Sequence, residues 1–321
     1  MPTNRIFYID ALKAFAIVLV VMGHTHKLWE MNGGESFYSS ILSVFHMPLF
    51  MALSGYVTNV EKFLLTKRAK MLIPFFVFGF SWIAYNQLSF IGFFEHEAKY
   101  GYWFLYVLFM FFAFLALIRA TKQNLYVGMG VVQIVLMGLH FMLHRTISGT
   151  TLSTDHMFQL WPFFCLGIIL RRGLLEKIFV RKAVSAIVCL CSMMVIWGGK
   201  YYLHLTSTLA IYCNDLMSFF IVPLLFLLFH EAEERMKGRK GWLKSVMKYL
   251  GQQLGVNTLQ IYVLQYFVID WFSMFVWNCM GINVADKELV LSPIIGLFLS
   301  MVCVWLSDLL HKARLGFLFG R

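Results

Sequence analysis

The sequence predicts an all-α polytopic membrane protein with about ten transmembrane helices and both termini cytoplasmic. Three observations carry this reading. Hydrophobic residues make up 60% and charged residues 13% of the 321 positions, whereas a soluble domain carries about 25% charged residues. Mean hydropathy is +0.72, and the apolar residues come in solid runs, not in the weakly alternating segments of a membrane β-barrel. The basic residues alternate in density from one connecting segment to the next. Such a composition excludes a soluble globular enzyme, a disordered chain and a collagen-like fibre.

A spanning helix needs about 20 mostly apolar residues. Segments fitting that description lie at 8–29, 39–60, 71–92, 101–119, 124–143, 156–171, 183–204, 212–230, 254–277 and 290–311. The first ends in Met22-Gly23-His24-Thr25-His26-Lys27. It lacks the small-residue pattern of a signal-peptide cleavage site, so it is expected to stay as the first membrane helix. The second contains Pro48, which removes one backbone donor and leaves a carbonyl one turn earlier to be satisfied. Ser54-Gly55 near its end reads as a point where helices pack closely. The sixth is the shortest and contains Pro162, and Pro74 and Pro223 mark further helix starts or kinks. No soluble domain, low-complexity stretch or internal repeat interrupts the series. Residues 1–321 therefore read as a single membrane-embedded domain.

The charges test this count. With a cytoplasmic N-terminus, 21 of the 27 Lys and Arg residues fall in inside segments. Five fall outside: Lys27, Lys99, Arg145, Lys200 and Lys287. Lys13 lies within the first span. A bias of this kind is what the positive-inside rule predicts. It also accounts for the net charge of +11 through basic loops facing anionic lipid, with no nucleic-acid partner. The six cysteines show neither CxxC spacing nor a partnering histidine cluster. They read as small buried hydrophobes, and no metal site is expected.

Ionisable groups inside a membrane span cost several kcal/mol unless paired or hydrated, so each is a functional candidate. The first span is the densest, with Asp10, Lys13, His24 and His26. Asp10 and Lys13 are i,i+3 neighbours. His24 lies eleven residues beyond Lys13, about three turns plus 20°, hence on the same face and about 16 Å further along the helix. A long anionic cofactor could hold its phosphates at Lys13 and reach His24 with its reactive end. A neutral imidazole there could act as general base on a hydroxyl. The alternative is a snorkelling Lys13 and a His24 that merely ends the helix in the headgroups. His46, two residues before Pro48, is a candidate for either a supporting or a structural role.

Several segments, taken in order, resemble the acyltransferase-3 family of integral membrane O-acyltransferases. Ile9-Asp10-Ala11-Leu12-Lys13 through Val20-Val21-Met22-Gly23-His24 is similar to its first-helix signature of a basic residue, ten residues, then His. Phe45-His46-Met47-Pro48-Leu49-Phe50 with Leu53-Ser54-Gly55-Tyr56 resembles its second helix. Lys67-Arg68-Ala69-Lys70-Met71-Leu72-Ile73-Pro74 resembles the basic entry to its third, and Tyr102-Trp103-Phe104-Leu105-Tyr106-Val107-Leu108 its fourth. Phe163-Phe164-Cys165-Leu166-Gly167 is a weaker match. Leu250-Gly251 through Thr258-Leu259-Gln260-Ile261-Tyr262-Val263-Leu264-Gln265 resembles a late helix.

The resemblance implies His24 as the catalytic residue, Lys13 and Arg68 as contacts to acyl-CoA, and Asp10 and His46 in support. It implies a cytoplasmic acyl-CoA donor, acetyl-CoA being the expected one, no metal, and a sugar hydroxyl as acceptor. Two positions depart from the pattern. Gln265 stands where a late His is common and cannot act as a base near neutral pH. Met71 stands where a second Arg is common. Lys70 beside it offers a point charge in place of a bidentate fork.

The expected activity is thus O-acylation, with acetyl as the expected group, of a cell-envelope saccharide or lipid-linked sugar in a bacterial inner or cytoplasmic membrane. The outer loops are short, and no appended esterase-like domain is expected. The acceptor then comes directly to the membrane site, or a separate protein takes the acyl group. Glu95, His96 and Glu97 in one outer loop, with Asp155 and His156 in another, are candidates for an acceptor entrance, set against ordinary loop solvation. The alternative reading is a transporter or flippase for a lipid-linked sugar. It would explain the helices and the polar groups, but the sequence lacks the paired broken helices of such proteins.

Overall fold

The computed structural model describes residues 6–25, 37–144, 146–202, 207–237, 241–280 and 288–320. It is 87% helix, and the described residues include no strand. A helix stands at each of the ten expected places. Six are long and apolar enough to cross a membrane: Phe7–Thr25, Trp103–Ala120, Leu125–Leu143, Lys182–Gly199, Tyr212–Met236 and Leu291–Lys312. The chain is a multi-pass membrane protein. The other four places hold helices that are shorter or more polar.

We label the helices in chain order: α1 Phe7–Thr25, α2 Phe37–Tyr56, α3 Leu65–Ala69, α4 Leu72–Tyr85, α5 Phe90–Glu95, α6 Trp103–Ala120, α7 Leu125–Leu143, α8 Ile147–Leu152 and α9 Thr154–Ile169. Then follow α10 Leu175–Val180, α11 Lys182–Tyr202, α12 Ser207–Met236, α13 Trp242–Val256, α14 Thr258–Met280 and α15 Glu288–Lys312. The segment 71–92, expected as one span, is divided. α4 ends at Tyr85, Gln87 takes a left-handed φ of 56°, and α5 starts afresh with the Ser89 hydroxyl accepting from the Gly92 amide at 3.3 Å. A second difference is α13, an amphipathic helix in a stretch expected to be mostly a basic connection.

The helices form two compact units. One comprises Met1–Leu53 and Ile169–Asp308, the other Ser54–Ile168 and Leu309–Arg321. In the first, α1 is the central element and packs on α12, α13 and α14. Leu12, Ala16, Ile17 and Val21 on α1 are fully buried. Glycines set the closest approach. A Cβ on Gly255 would run into the Asp10 carbonyl, and one on Gly251 would lie 3.3 Å from the Ala11 Cα. Gly251 and Gly255 are four apart, the small-xxx-small spacing that lets helix backbones touch. The N-terminus of α1 is met by Glu233 of α12, whose carboxylate accepts from the Tyr8 amide at 3.0 Å. An acidic group is favourable at that end of the helix dipole.

Pro48 of α2 behaves as its chemistry requires. The carbonyl it frees belongs to Val44, and the Ser218 hydroxyl of α12 donates to it.

The second unit is built around α6 and an aromatic core. Phe111 lies 5.2 Å from Trp161 and 5.5 Å from Phe164, and Phe112 lies 5.6 Å from Phe164. Such pairs add about 0.5–1.5 kcal/mol each beyond area burial. Gly55 is the expected close-packing point. A Cβ there would enter the Phe164 carbonyl of α9.

Candidate functional site

α1 has no proline and is apolar apart from Asp10, Lys13 and the His24 turn, so it runs unbroken from Phe7 to Thr25. At 100° per residue Asp10, Lys13 and His24 lie within about 60° of one another. All three are half-buried. Lys13 Nζ stands 3.7 Å from Asp10 Oδ1, with the two side chains 25% and 14% exposed. That ion pair orients the ammonium but leaves donors over, because an ammonium has three and one long contact uses at most one. Gly255 sits against the Asp10 backbone and fixes the height at which Asp10 and Lys13 emerge.

His24 lies in the last turn of α1. Its ring is tilted 47° against Tyr266 of α14 with centroids 5.0 Å apart, and Tyr266 Oη is 3.4 Å from His24 Nε2. His24 Nε2 can donate to that phenol oxygen, which holds the ring in one orientation and, in the neutral imidazole, puts the basic lone pair on Nδ1. Tyr266 was missed in the sequence reading. The signal was its neighbour Gln265, singled out in its stead. Gln265 is fully buried and donates Nε2 to the Tyr262 carbonyl at 3.1 Å. His26 lies outside the described residues.

His46 Nδ1 is hydrogen-bonded to the Leu42 carbonyl, one turn back on its own helix. The geometry gives His46 a local backbone contact, while Ser218 supplies the donor that Pro48 makes necessary.

Arg68 belongs to the second unit. It sits in the last turn of α3, half-buried, with its guanidinium 4.6 Å over the Phe112 ring. Burial holds its pKa below the ordinary arginine value. Beside it, Arg119 donates Nη1 to the Phe63 carbonyl at 3.0 Å, an anchoring contact. Lys67 and Lys70 are exposed.

Residues of the two loops singled out for an acceptor entrance do meet. Glu97 Oε1 lies 3.3 Å from His156 Nδ1, and His156 stacks on Trp103 with centroids 4.1 Å apart. Ser153 Oγ donates to the Glu97 carbonyl at 2.9 Å. Lys99 ties the loops together. Its Nζ, 2.6, 3.0 and 2.8 Å from the carbonyls of Phe94, His96 and Thr150, donates to all three. Burial draws the Lys99 pKa down to about 8 while Glu97 pulls the other way, so the group is still an ammonium at neutral pH. His96 turns away and stacks on Tyr100 at 5.0 Å, and Glu95 is exposed. Asp155 faces neither Glu97 nor His156. Its described partners are His140 and His144.

Comparisons with known proteins give the family of the chain. A family model described as "Acyltransferase domain", that of the acyltransferase-3 family, matches residues 6–311. Two proteins called nodulation protein NolL are similar. The one from Sinorhizobium fredii (strain NBRC 101917 / NGR234) is 26% identical over 235 residues, covering 63% of this chain and 60% of that protein. The one from Mesorhizobium japonicum (strain LMG 29417 / CECT 9101 / MAFF 303099) is 24% identical over 316 residues, covering 86% and 80%. The first match thus spans less than two thirds of its relative's length. No solved structure matches. The family match extends over both units, and the chain belongs to the acyltransferase-3 family.

Proposed function

We propose that this member of the acyltransferase-3 family is a membrane O-acyltransferase, with acyl-CoA as donor and a hydroxyl of a cell-envelope saccharide or lipid-linked sugar as acceptor. The acyl group we favour is acetyl, and the topology is ten spans with both termini cytoplasmic. The single observation that carries the reading is the α1 stripe. It places an oriented ammonium and a tyrosine-braced imidazole on one face of an unbroken helix, about 16 Å apart.

The residues fit such a donor. Lys13 has donors to spare for a phosphate oxygen, and charge-assisted bonds of this kind are the strong ones. Asp10 holds the Lys13 ammonium in place. His24 takes the proton from the acceptor hydroxyl as its oxygen attacks the thioester carbonyl. The C–O bond forms, the C–S bond breaks, and the departing thiolate takes the proton from the imidazolium. Tyr266 holds the imidazole in one orientation through that exchange. His46 supports the backbone of α2.

The experiment is acyl transfer from labelled acetyl-CoA to envelope glycans by the purified protein. A positioned general base contributes about 10²–10⁴-fold, so His24→Ala should insert normally and lose at least about 10²-fold in rate. No transfer by the wild type with a panel of acyl-CoA donors would instead favour a transporter.

A further inference from the structure

The second unit contains a convergence of side chains that the acyl-transfer reading does not use. His140 and His144 are one turn apart at the end of α7, and residues at i,i+4 share a helix face. The chain then turns through α8 and brings Asp155, the second residue of α9, back against them. His140 Nδ1 is 2.6 Å from Asp155 Oδ1, and His144 Nδ1 is 2.8 Å from Asp155 Oδ2. The three donor atoms all lie within 4.8 Å of one another.

The surroundings hold this arrangement in place. The His140 ring is stacked on Phe158 of α9 at 4.7 Å and 15°, which fixes its plane. α8 starts with the Thr146 hydroxyl accepting from the Gly149 amide at 3.1 Å. Gly149 packs so closely on the end of α7 that a Cβ would run into the Leu143 carbonyl. Ser153 takes a left-handed φ of 54° to join α8 to α9. His140 is buried, but the His144 side chain is 44% exposed. The site therefore has both a rigid floor and an entry path.

We propose that His140, His144 and Asp155 form a binding site for a divalent transition-metal ion of the zinc class. Two imidazoles and one carboxylate are the ligand types such ions select. Metal–ligand bonds of about 2.0–2.2 Å put tetrahedral ligand atoms about 3.3 Å apart. The present 2.6 and 2.8 Å separations are hydrogen-bond lengths, and small rotations of Asp155 and the exposed His144 open them to that spacing. On binding, each imidazole ligates through Nδ1 and carries its proton on Nε2. The ion then cross-links the end of α7 to the start of α9, with remaining positions left to water. Stacking on Phe158 orients the buried ligand, in the way outer-shell contacts tune metal sites. The competing arrangement is a hydrogen-bonded clasp with no affinity for metal.

The test uses the full-length protein in detergent, stripped with a chelator and titrated with Co²⁺ alone, then with Zn²⁺. The expected result is visible ligand-field absorption saturating at one Co²⁺ per chain, displaced by one Zn²⁺, with a rise in melting temperature. Loss of an outer-shell partner already costs about 10–100-fold in affinity. His144→Ala and Asp155→Asn, each eluting as a folded monodisperse species, should therefore lose at least about 100-fold. His96→Ala, an exposed histidine outside the cluster, should bind as wild type does. Absence of a one-to-one Co²⁺ complex would leave the clasp alone and overturn the proposal. Unchanged affinity in His144→Ala and Asp155→Asn would do the same by placing the ion elsewhere.

Discussion

On α1 three polar side chains are strung along one helix, with Lys13 and His24 about 16 Å apart. At the turn from α7 to α9 three polar side chains converge within 4.8 Å. The first arrangement suits an extended ligand, gripped at one end and reacted at the other. The second suits a point ligand such as an ion. Their partners differ in the same sense. His24 is braced by a phenol, a partner without formal charge. His140 and His144 share one carboxylate, and His156 leans on another. A carboxylate beside an imidazole is the kind of partner found around metal-bound histidines.

The comparison predicts that changes in the convergent region cost stability, whereas changes along α1 cost activity. The largest expected effect is at Lys99, which is 2% exposed and satisfies three carbonyls. Lys99→Met removes three hydrogen bonds at a buried position, although the His96 and Thr150 carbonyls keep the Lys99 and Ser153 amides; a lost buried donor costs about 1–3 kcal/mol. We expect a loss of about 3 kcal/mol in unfolding free energy. An unchanged melting temperature would show that the loops do not depend on this ammonium.

Next is Gly255→Leu, which forces a side chain into the Asp10 carbonyl. Overpacking of this kind costs about 1–3 kcal/mol, and the shift of α1 should also lower transfer. Wild-type melting and rate together would show that α13 does not set the position of the stripe. At Lys13 the effect falls on the donor. A charged hydrogen bond contributes about 1.5–3 kcal/mol, so Lys13→Ala should weaken acyl-CoA binding at least about tenfold. Lys13→Arg should retain most of it, because a guanidinium also binds phosphate. The smallest expected effect is Tyr266→Phe, which keeps the ring and removes one hydrogen bond worth about 0.5–1.5 kcal/mol. Transfer should fall a few-fold in kcat with KM unchanged, and the pH profile should shift. An unaltered profile would make Tyr266 packing alone.

The same contrast explains what the sequence disclosed. A helix converts spacing into direction at 100° per residue, so the alignment of Asp10, Lys13 and His24 follows from their numbers alone. Gly55 and the carbonyl freed by Pro48 were legible for the same local reason. Tyr266 was not, because its approach to His24 depends on how α14 docks, 242 residues away in sequence. The GxxxG spacing of Gly251 and Gly255 was present in the sequence, but its partner on α1 was not. His140 and His144 were not singled out, since Asp155 reaches them only through the α8 turn and the left-handed Ser153. The division of segment 71–92 at Gln87 was hidden by a run of apolar residues on both sides.

The central claim is that the two ends of the α1 stripe do different work on one donor. The direct measurement is acyl-CoA affinity and transfer rate, taken side by side, for wild type, Lys13→Ala and His24→Ala. The account predicts that His24→Ala binds donor as wild type does and loses at least about 10²-fold in transfer, while Lys13→Ala loses donor affinity. Near-wild-type transfer by a well-folded His24→Ala, or wild-type donor affinity in Lys13→Ala, would contradict it.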